Sequence, residues 1–240
     1  MHVVNRSILL GLGTTMVTLT IAGAVTAATS VGHTESDSTA AGTHNQPTAS
    51  KPAALSALPA GAVLVPLCRQ ATDYTCGAAA LQAVLGFFGE DFNESQLSGP
   101  LKSNNKIGTR YEAIEKFATH KGFEVTVYKD ASIKKLEELL DQKQPVIVLI
   151  QAWSEKATID YSKDWEDGHY VVAIGYDANN IYFMDPSTLG HYTYIPVQEF
   201  EARWHDKDTS EKLHHFAMTF RRIAKGKGNA FLPAQVEYMP

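Results

Sequence analysis

The stretch QATDYTCGAAAL, residues 70–81, places a cysteine at the first turn of a predicted helix. Apolar residues recur here at the i, i+3, i+4, i+7 spacing of a helix buried on one face: Leu81, Val84, Leu85 and Phe88. The positive end of a helix and its free N–H groups favour a thiolate. Cys76 is therefore a candidate nucleophile, with a buried structural thiol as the alternative. We expect Gly77 to leave room for a substrate backbone.

A second motif, DGHYVVAIGYD at residues 167–177, places His169 where a polar loop enters an apolar strand. Asp185 and Pro186 end the next predicted strand. If these two strands pair as a hairpin, Asp185 reaches the imidazole and fixes its tautomer and orientation. Taken singly, His169 also fits a strand-end histidine without a catalytic role, and Asp185-Pro186 fits a turn.

Gln70 lies six positions before Cys76. Its side-chain amide could join the backbone N–H of Cys76 in binding the oxyanion of a tetrahedral intermediate. A surface glutamine is the alternative interpretation of this residue alone. Together with His169 and Asp185, these residues are the parts of a cysteine hydrolase.

The order of the predicted elements indicates an α+β fold. Helices are predicted mainly in the first half, including one opened by a capping-box pattern at Thr109–Glu112 and one capped by Ser132. The remaining predicted elements are strands at 63–67, 123–127, 145–150, 170–176, 181–184, 191–195 and 215–220, with short helices at 94–97 and 196–204. Helices followed by strands favour an antiparallel sheet.

These motifs resemble the papain-clan cysteine peptidases of the bacteriocin-processing, double-glycine-leader type. The resemblance covers about Val65–Phe220 and rests on the order and spacing of the four residues above. It implies a papain-like fold, with a helical half that carries the cysteine and an antiparallel sheet half that carries the histidine and aspartate. It also implies that Cys76 is the nucleophile, His169 the general base and then acid, Asp185 the group that orients His169, and Gln70 the oxyanion donor.

Two features depart from that family. Its members often carry Asp directly before the cysteine, where this chain has Thr75, with Asp73 two positions further back. The leader-processing enzymes are usually cytoplasmic domains fused to export transporters, whereas we expect this protein to be a stand-alone exported member. The resemblance therefore implies the thiol chemistry and leaves the substrate open.

The first 27 residues have the layout of a secretory signal peptide. Arg6 precedes the apolar residues 8–24, and the small-residue sequence AVTAA at 24–28 suits cleavage after Ala27 or Ala28. An uncleaved anchor is the alternative, because the apolar run approaches the ~18 residues that span a bilayer. We expect a periplasmic or secreted protein that contacts a membrane only through an uncleaved signal peptide.

Composition divides the remainder of the chain. Residues 28–60 are rich in Ala, Ser, Thr, Gly and Pro, which predicts a disordered linker. Residues 61–222 form the predicted peptidase domain, and residues 223–240 form a C-terminal tail. A formal net charge of -5 gives no basic surface for nucleic acid. We expect a monomer whose partner is a peptide or protein substrate.

No cofactor is expected, because the cysteine and histidine spacings do not suggest zinc and no phosphate-binding loop occurs. The two cysteines, Cys68 and Cys76, lie eight residues apart. We favour Cys68 as a small buried residue. A disulfide to Cys76 is the alternative, and it would act as a redox switch.

The sequence therefore predicts a cysteine peptidase that acts on an exported or cell-envelope protein. Two other functions fit the same residues. One is a different thiol acyl transferase, transglutaminase-like or peptide-ligating, and the other is a non-catalytic peptide-binding module. An acidic loop before His169 would favour basic substrates or simply be solvated; it contains Asp160, Asp164, Glu166 and Asp167.

Overall fold

The computed structural model describes residues 57–208 and 211–223. The predicted signal peptide therefore lies outside the described residues, as do the linker up to residue 56 and the tail from residue 224. The helices within the described ranges are α1 (Cys76–Phe87), α2 (Glu94–Ser98), α3 (Tyr111–His120), α4 (Ile133–Asp141) and α5 (Val197–Arg203). The strands are β1 (Phe123–Tyr128), β2 (Val146–Gln151), β3 (Gly168–Tyr176), β4 (Asn180–Met184), β5 (Thr193–Pro196), β6 (His205–Asp208), β7 (Glu211–His214) and β8 (Ala217–Arg222).

Six of the strands form one antiparallel sheet in the order β1-β8-β2-β3-β4-β5. Strands β6 and β7 form a separate two-stranded ribbon. The predicted α+β class with an antiparallel sheet is confirmed. The predicted pairing of the strands that carry His169 and Asp185 is also present, since β3 pairs with β4 and Val172 lies opposite Met184.

Both faces of the large sheet are covered, which explains the continuous apolar run of β2. Ile147 and Leu149 belong to a core shared with α1, α2 and α3. Val146, Val148 and Ile150 belong to a second core shared with α4 and α5. Alternate side chains of a strand point to opposite faces, so helices on both faces require apolar residues at every position.

Nine of the twelve residues of helix α1 are buried, because small residues let it approach the sheet closely. Ala78, Ala79, Ala80 and Ala83 are fully buried. The helix ends at Phe87, and Gly89 follows with a positive φ of 80° that few other residues adopt readily. The predicted helix at 76–88 is therefore confirmed to within one residue.

Two local predictions are wrong, and the bounds of a third are shifted. Residues 63–67 form no strand. Val63 N–H donates to the Ile174 carbonyl at 2.6 Å, but Pro66 has no N–H to continue a ladder. The capping box at Thr109 is absent, because its hydroxyl bonds to Ser103 Oγ at 2.7 Å and Arg110 is the N-cap of α3. The predicted strand at 215–220 begins only at Ala217, since the residue before Phe216 has a positive φ.

Ser132 caps α4 as predicted, since its Oγ accepts a hydrogen bond from Lys135 N at 3.1 Å. The β6–β7 ribbon was not predicted, because its strands are short and polar.

No helix among residues 57–208 and 211–223 has the length and hydrophobicity that a membrane crossing needs.

Candidate active site

Cys76 is the first residue of α1 and is 7% exposed. The first turn of the helix contains no acidic residue, so the positive potential of the helix end is not offset there. Thr75 stands where the resembled peptidases often carry Asp. Its Oγ1 accepts a hydrogen bond from Thr72 N at 3.2 Å and lies 2.9 Å from Thr72 Oγ1, which closes the loop before the cysteine.

His169 is the second residue of β3 and is buried beside Cys76 and Asp185. Its Nε2 lies 2.7 Å from Asp185 Oδ1. The imidazole also forms a hydrogen bond with Cys76, and because Nε2 is engaged by Asp185, the thiol faces Nδ1. The structure thus brings together three residues that are separated by 93 and 16 positions in the sequence, 76 to 169 and 169 to 185.

The electrostatics of this group favour an ion pair between the histidine and the aspartate. Burial alone would lower the pKa of His169, but its hydrogen bonds to Asp185 and Cys76 outweigh burial and raise that pKa above the usual value. Burial would raise the pKa of Asp185, but the neighbouring imidazole outweighs it and holds that pKa below the usual value. The charged forms of both side chains are therefore favoured together.

Two further groups hold the Asp185 carboxylate, and neither is predicted from the sequence. Ser187 N–H donates to Oδ1 at 2.8 Å. The indole Nε1–H of Trp153 donates to Oδ2 at 3.0 Å. Trp153 is 58% exposed and has a positive φ of 62°, so it makes this contact from a backbone conformation that is costly for a bulky residue.

Gln70 forms hydrogen bonds with the two residues that follow Asp185 in the sequence. Its backbone N–H donates to the Pro186 carbonyl at 3.0 Å, and its Oε1 accepts from Ser187 Oγ at 3.2 Å. Its Nε2 donates to the Thr72 carbonyl at 2.7 Å, which uses one of the two amide protons. One amide N–H thus remains for a ligand in the adjoining cavity.

Two cavities open at this group. One has a volume of about 470 Å³ and includes Cys76 in its lining. The other has a volume of about 510 Å³ and is lined partly by Gln70 and His169. Both are bordered by Asp73, Glu166 and Gly168, so they form neighbouring parts of one open groove. Cys76 lines one part and His169 the other, and an open groove of this kind suits an extended peptide.

Gln151 positions the segment that leads into His169, and it too was missed. It is fully buried at the end of β2. Its Oε1 accepts from Asp167 N–H at 2.9 Å, while its Nε2 donates to the His205 carbonyl and to Asp206 Oδ1, both at 3.0 Å. The one available signal was a single polar residue closing an otherwise apolar run.

Gly77 is required for a different reason from the one that the sequence suggested. A Cβ at this position would lie 2.7 Å from Thr109 Cβ and 3.1 Å from Tyr170 Cδ2. The missing side chain therefore allows α1 to pack against its neighbours.

Most of the acidic loop before His169 is neutralised within the protein. Asp160 pairs with Lys163 at 2.7 Å and Asp164 pairs with Lys156 at 3.2 Å. Glu166 pairs with a lysine of β6 at 2.5 Å. These three carboxylates are thus already compensated by lysines of the same chain.

The two cysteines are free thiols. Cys68 is partly buried against the core, and burial together with the nearby charge of Glu94 raises its pKa to about 11. It is therefore protonated at neutral pH and a poor nucleophile.

No group of three or more His, Cys, Asp or Glu side chains that could hold a metal occurs in the described part of the chain.

Comparisons with known families and solved structures both identify peptidases of the C39 type. A family model described as "Peptidase_C39 like family" matches residues 63–210. The peptidase domain of Streptococcus ComA, a bi-functional ABC transporter involved in quorum sensing, is 24% identical with a TM-score of 0.50. That match covers 65% of this chain and 97% of the other.

A protein from Bacillus anthracis described as a C39-like peptidase is 18% identical, with a TM-score of 0.50 and coverage of 67% of this chain and 97% of the other. At these identities the two structures establish the fold. The predicted papain-like fold and the resemblance to bacteriocin-processing peptidases are confirmed. A search of curated proteins finds no match.

Proposed function

Because this chain belongs to the Peptidase_C39-like family, we propose that it is a cysteine peptidase that hydrolyses peptide bonds through Cys76, His169 and Asp185. The observation that carries the proposal is the contact of one buried imidazole with both the thiol and the carboxylate. The open groove at this group supports a peptide as the substrate.

The mechanism begins from the pair in which the proton of Cys76 has already passed to His169, and the thiolate attacks the carbonyl carbon of the scissile amide. The oxyanion that forms is bound by the Cys76 backbone N–H and by the remaining amide N–H of Gln70. His169 then donates its proton to the amine nitrogen as the C–N bond breaks, which leaves a thioester on Cys76. Water, deprotonated by His169, cleaves the thioester and releases the carboxylate and the thiol.

Asp185 acts through His169 in this scheme. It fixes the ring so that Nδ1 faces the thiol, and it stabilises the imidazolium that forms after proton transfer. Trp153 and Ser187 in turn fix Asp185, and Ser187 also orients Gln70. The base and the oxyanion donor are therefore positioned by one connected set of hydrogen bonds.

We assign the substrate to an exported or cell-envelope protein, because residues 1–27 have the layout of a signal peptide. The test compares the N-termini of exported proteins from cells that express the native chain and from cells that express Cys76→Ala. Native-specific N-termini are expected in the exported fraction. Equal sets of N-termini would contradict the proposal.

Glycinamide distinguishes hydrolysis from acyl transfer when it is added to the purified protein together with a peptide that the protein cleaves. A peptidase releases the free carboxylate as its main product. Dominant formation of the glycinamide adduct would instead assign the chain to the acyl transferases, which use the same thioester.

A further inference from the structure

Asp206 lies on β6 and lines the same cavity as Cys76. Its carboxylate occupies the space beside Gly168, where a Cβ would collide with both carboxylate oxygens. Gly168 directly precedes His169 on β3. Because residue 168 has no side chain, the Asp206 carboxylate can line the groove next to His169.

This carboxylate is held by neutral donors. Its Oδ1 accepts from Gln151 Nε2 at 3.0 Å, and the backbone N–H of Lys207 donates to the same side chain. The ammonium of Lys207 instead pairs with Glu166 at 2.5 Å. Among residues 57–208 and 211–223, none forms a salt bridge with Asp206.

A largely buried carboxylate without a salt bridge is costly, because it has lost hydration and the charge of the neighbouring Lys207 offsets only part of that loss. Burial raises the pKa of Asp206 to about 6, so the group is still charged at neutral pH. A cation that entered the groove would recover Coulombic energy in a region of low dielectric.

The other charges that line the cavity beside Cys76 are balanced or exposed. Glu166 and Lys207 pair with each other, and Asp208 pairs with Arg110 at 3.3 Å. Asp73 and Lys106 are opposite charges on exposed loops. Asp206 is therefore the charge in this cavity that is both withdrawn from water and without a counter-ion in the described part of the chain.

We propose that Asp206 is a specificity-determining residue that selects substrates with a lysine or arginine side chain close to the scissile bond. This inference rests on the proposed peptidase function and deepens it. The substrate cation would form a charge-assisted hydrogen bond with the carboxylate, which stays attached to Gln151.

A peptide library made from a proteome by cleavage after glutamate provides the test, because such peptides retain internal Lys and Arg. The library is incubated with native protein, Asp206→Asn, Asp130→Asn or Cys76→Ala, and mass spectrometry identifies the residues around each new terminus. Asn keeps the acceptor for Gln151 and removes the charge. Asp130→Asn removes one exposed carboxylate outside the cavity.

Native protein and Asp130→Asn are expected to enrich Lys and Arg about 10-fold at one position near the cleaved bond, which corresponds to about 1.4 kcal/mol. Asp206→Asn is expected to lose that enrichment while still cleaving other sequences. The same enrichment in Asp206→Asn, or none in the native protein, would overturn the inference and leave the peptidase intact. Cleavage that is absent from all samples, or that persists in Cys76→Ala, would overturn the proposed function and the inference with it.

A second measurement uses only the native protein and does not depend on the folding of a variant. Two peptides that differ by lysine or norleucine at the enriched position are compared, together with the acetyl-lysine form. The lysine peptide is expected to have a kcat/KM about 10-fold higher than the other two. Equal values for the three peptides would contradict the role of Asp206.

Discussion

Trp153 and Asp185 are joined by a hydrogen bond of 3.0 Å from the indole Nε1 to Oδ2. Trp153 makes this contact with a φ of 62°, a conformation that a bulky residue seldom adopts because it costs on the order of 1–3 kcal/mol. A strained backbone conformation of this kind persists where the surrounding contacts maintain it. Here the contact is with the carboxylate that bonds to His169. We infer that Trp153 is a positioning residue for Asp185.

Trp153→Phe should lower kcat/KM about 10-fold, because a hydrogen bond to a charged acceptor contributes about 1.5 kcal/mol or more. The free energy of unfolding should change by less than about 1 kcal/mol, since the side chain is 58% exposed. Peptide hydrolysis and urea unfolding measure the two effects. Tyr194→Phe, an exposed aromatic outside both cavities, serves as the control. An unchanged kcat/KM in Trp153→Phe would show that the indole N–H does not position Asp185.

Asp185→Asn should move the alkaline limb of the pH profile of kcat/KM to lower pH. The carboxylate raises the pKa of His169, so its replacement by a neutral amide lowers that pKa and the imidazole loses its proton earlier as the pH rises. Asn can still accept a hydrogen bond from Nε2, whereas Asp185→Ala cannot. We therefore expect the rate at the optimum to fall less in Asp185→Asn than in Asp185→Ala, which should lose roughly 10- to 100-fold.

The profile is measured from pH 5 to pH 10 for the native protein and the two variants. A limb that stays at the native pH in Asp185→Asn would mean that the carboxylate does not control the protonation of His169.

Gly77→Ala should destabilise the protein by about 1–3 kcal/mol, because the new methyl group would overlap Thr109 and crowd Tyr170. Gly99→Ala is the matched control: it has a negative φ of -62° and no atom within 4 Å of its Cβ position. We expect the control to be neutral or slightly stabilising. Urea denaturation of both variants measures the difference, and equal stabilities would refute the packing role of Gly77.

Asp206→Asn should stabilise the protein at pH 7.5, by at most about 3 kcal/mol. Burial raises the pKa of this carboxyl from 3.8 to about 6, so the folded state binds this proton more tightly than the unfolded state. The resulting contribution to the free energy of unfolding is fully present below pH 3.8 and is lost as the pH rises through about 6. The advantage of Asn over Asp should therefore shrink as the pH falls from 7.5 towards 4.

Urea unfolding at several pH values measures this change, with Asp130→Asn as the control for the loss of one charge. A gain in stability that did not vary with pH would show that the charge of Asp206 is not the cause. A buried charge that lowers stability is also what a binding residue is expected to show.

Much of this architecture could be predicted from periodicity. The helix that begins at Cys76 and the strands that carry His169 and lead to Asp185 have strong local patterns, and their pairing follows from the short link between them. The side chains of Cys76, His169 and Asp185 meet because α1 packs on β3 and β3 pairs with β4.

The supporting residues could not be predicted because their partners are remote in sequence or depend on loop conformation. Trp153 reaches Asp185 only through a positive φ, which no local pattern around it indicates. Gln151 bonds to residues 54 and 55 positions later on a short polar ribbon. Such contacts depend on tertiary placement, whereas helices and strands are set by nearby residues.

The central claim is that Cys76 is the nucleophile, and the second cysteine of the chain offers the sharpest test. A peptide cleaved by the native protein is incubated with Cys76→Ala and with Cys68→Ala, and product is quantified by mass spectrometry. We predict that the hydrolysis rate falls at least about 1,000-fold in Cys76→Ala and stays within about 2-fold of native in Cys68→Ala, whose thiol is protonated at neutral pH. Substantial hydrolysis by Cys76→Ala, or loss of activity in Cys68→Ala alone, would contradict it.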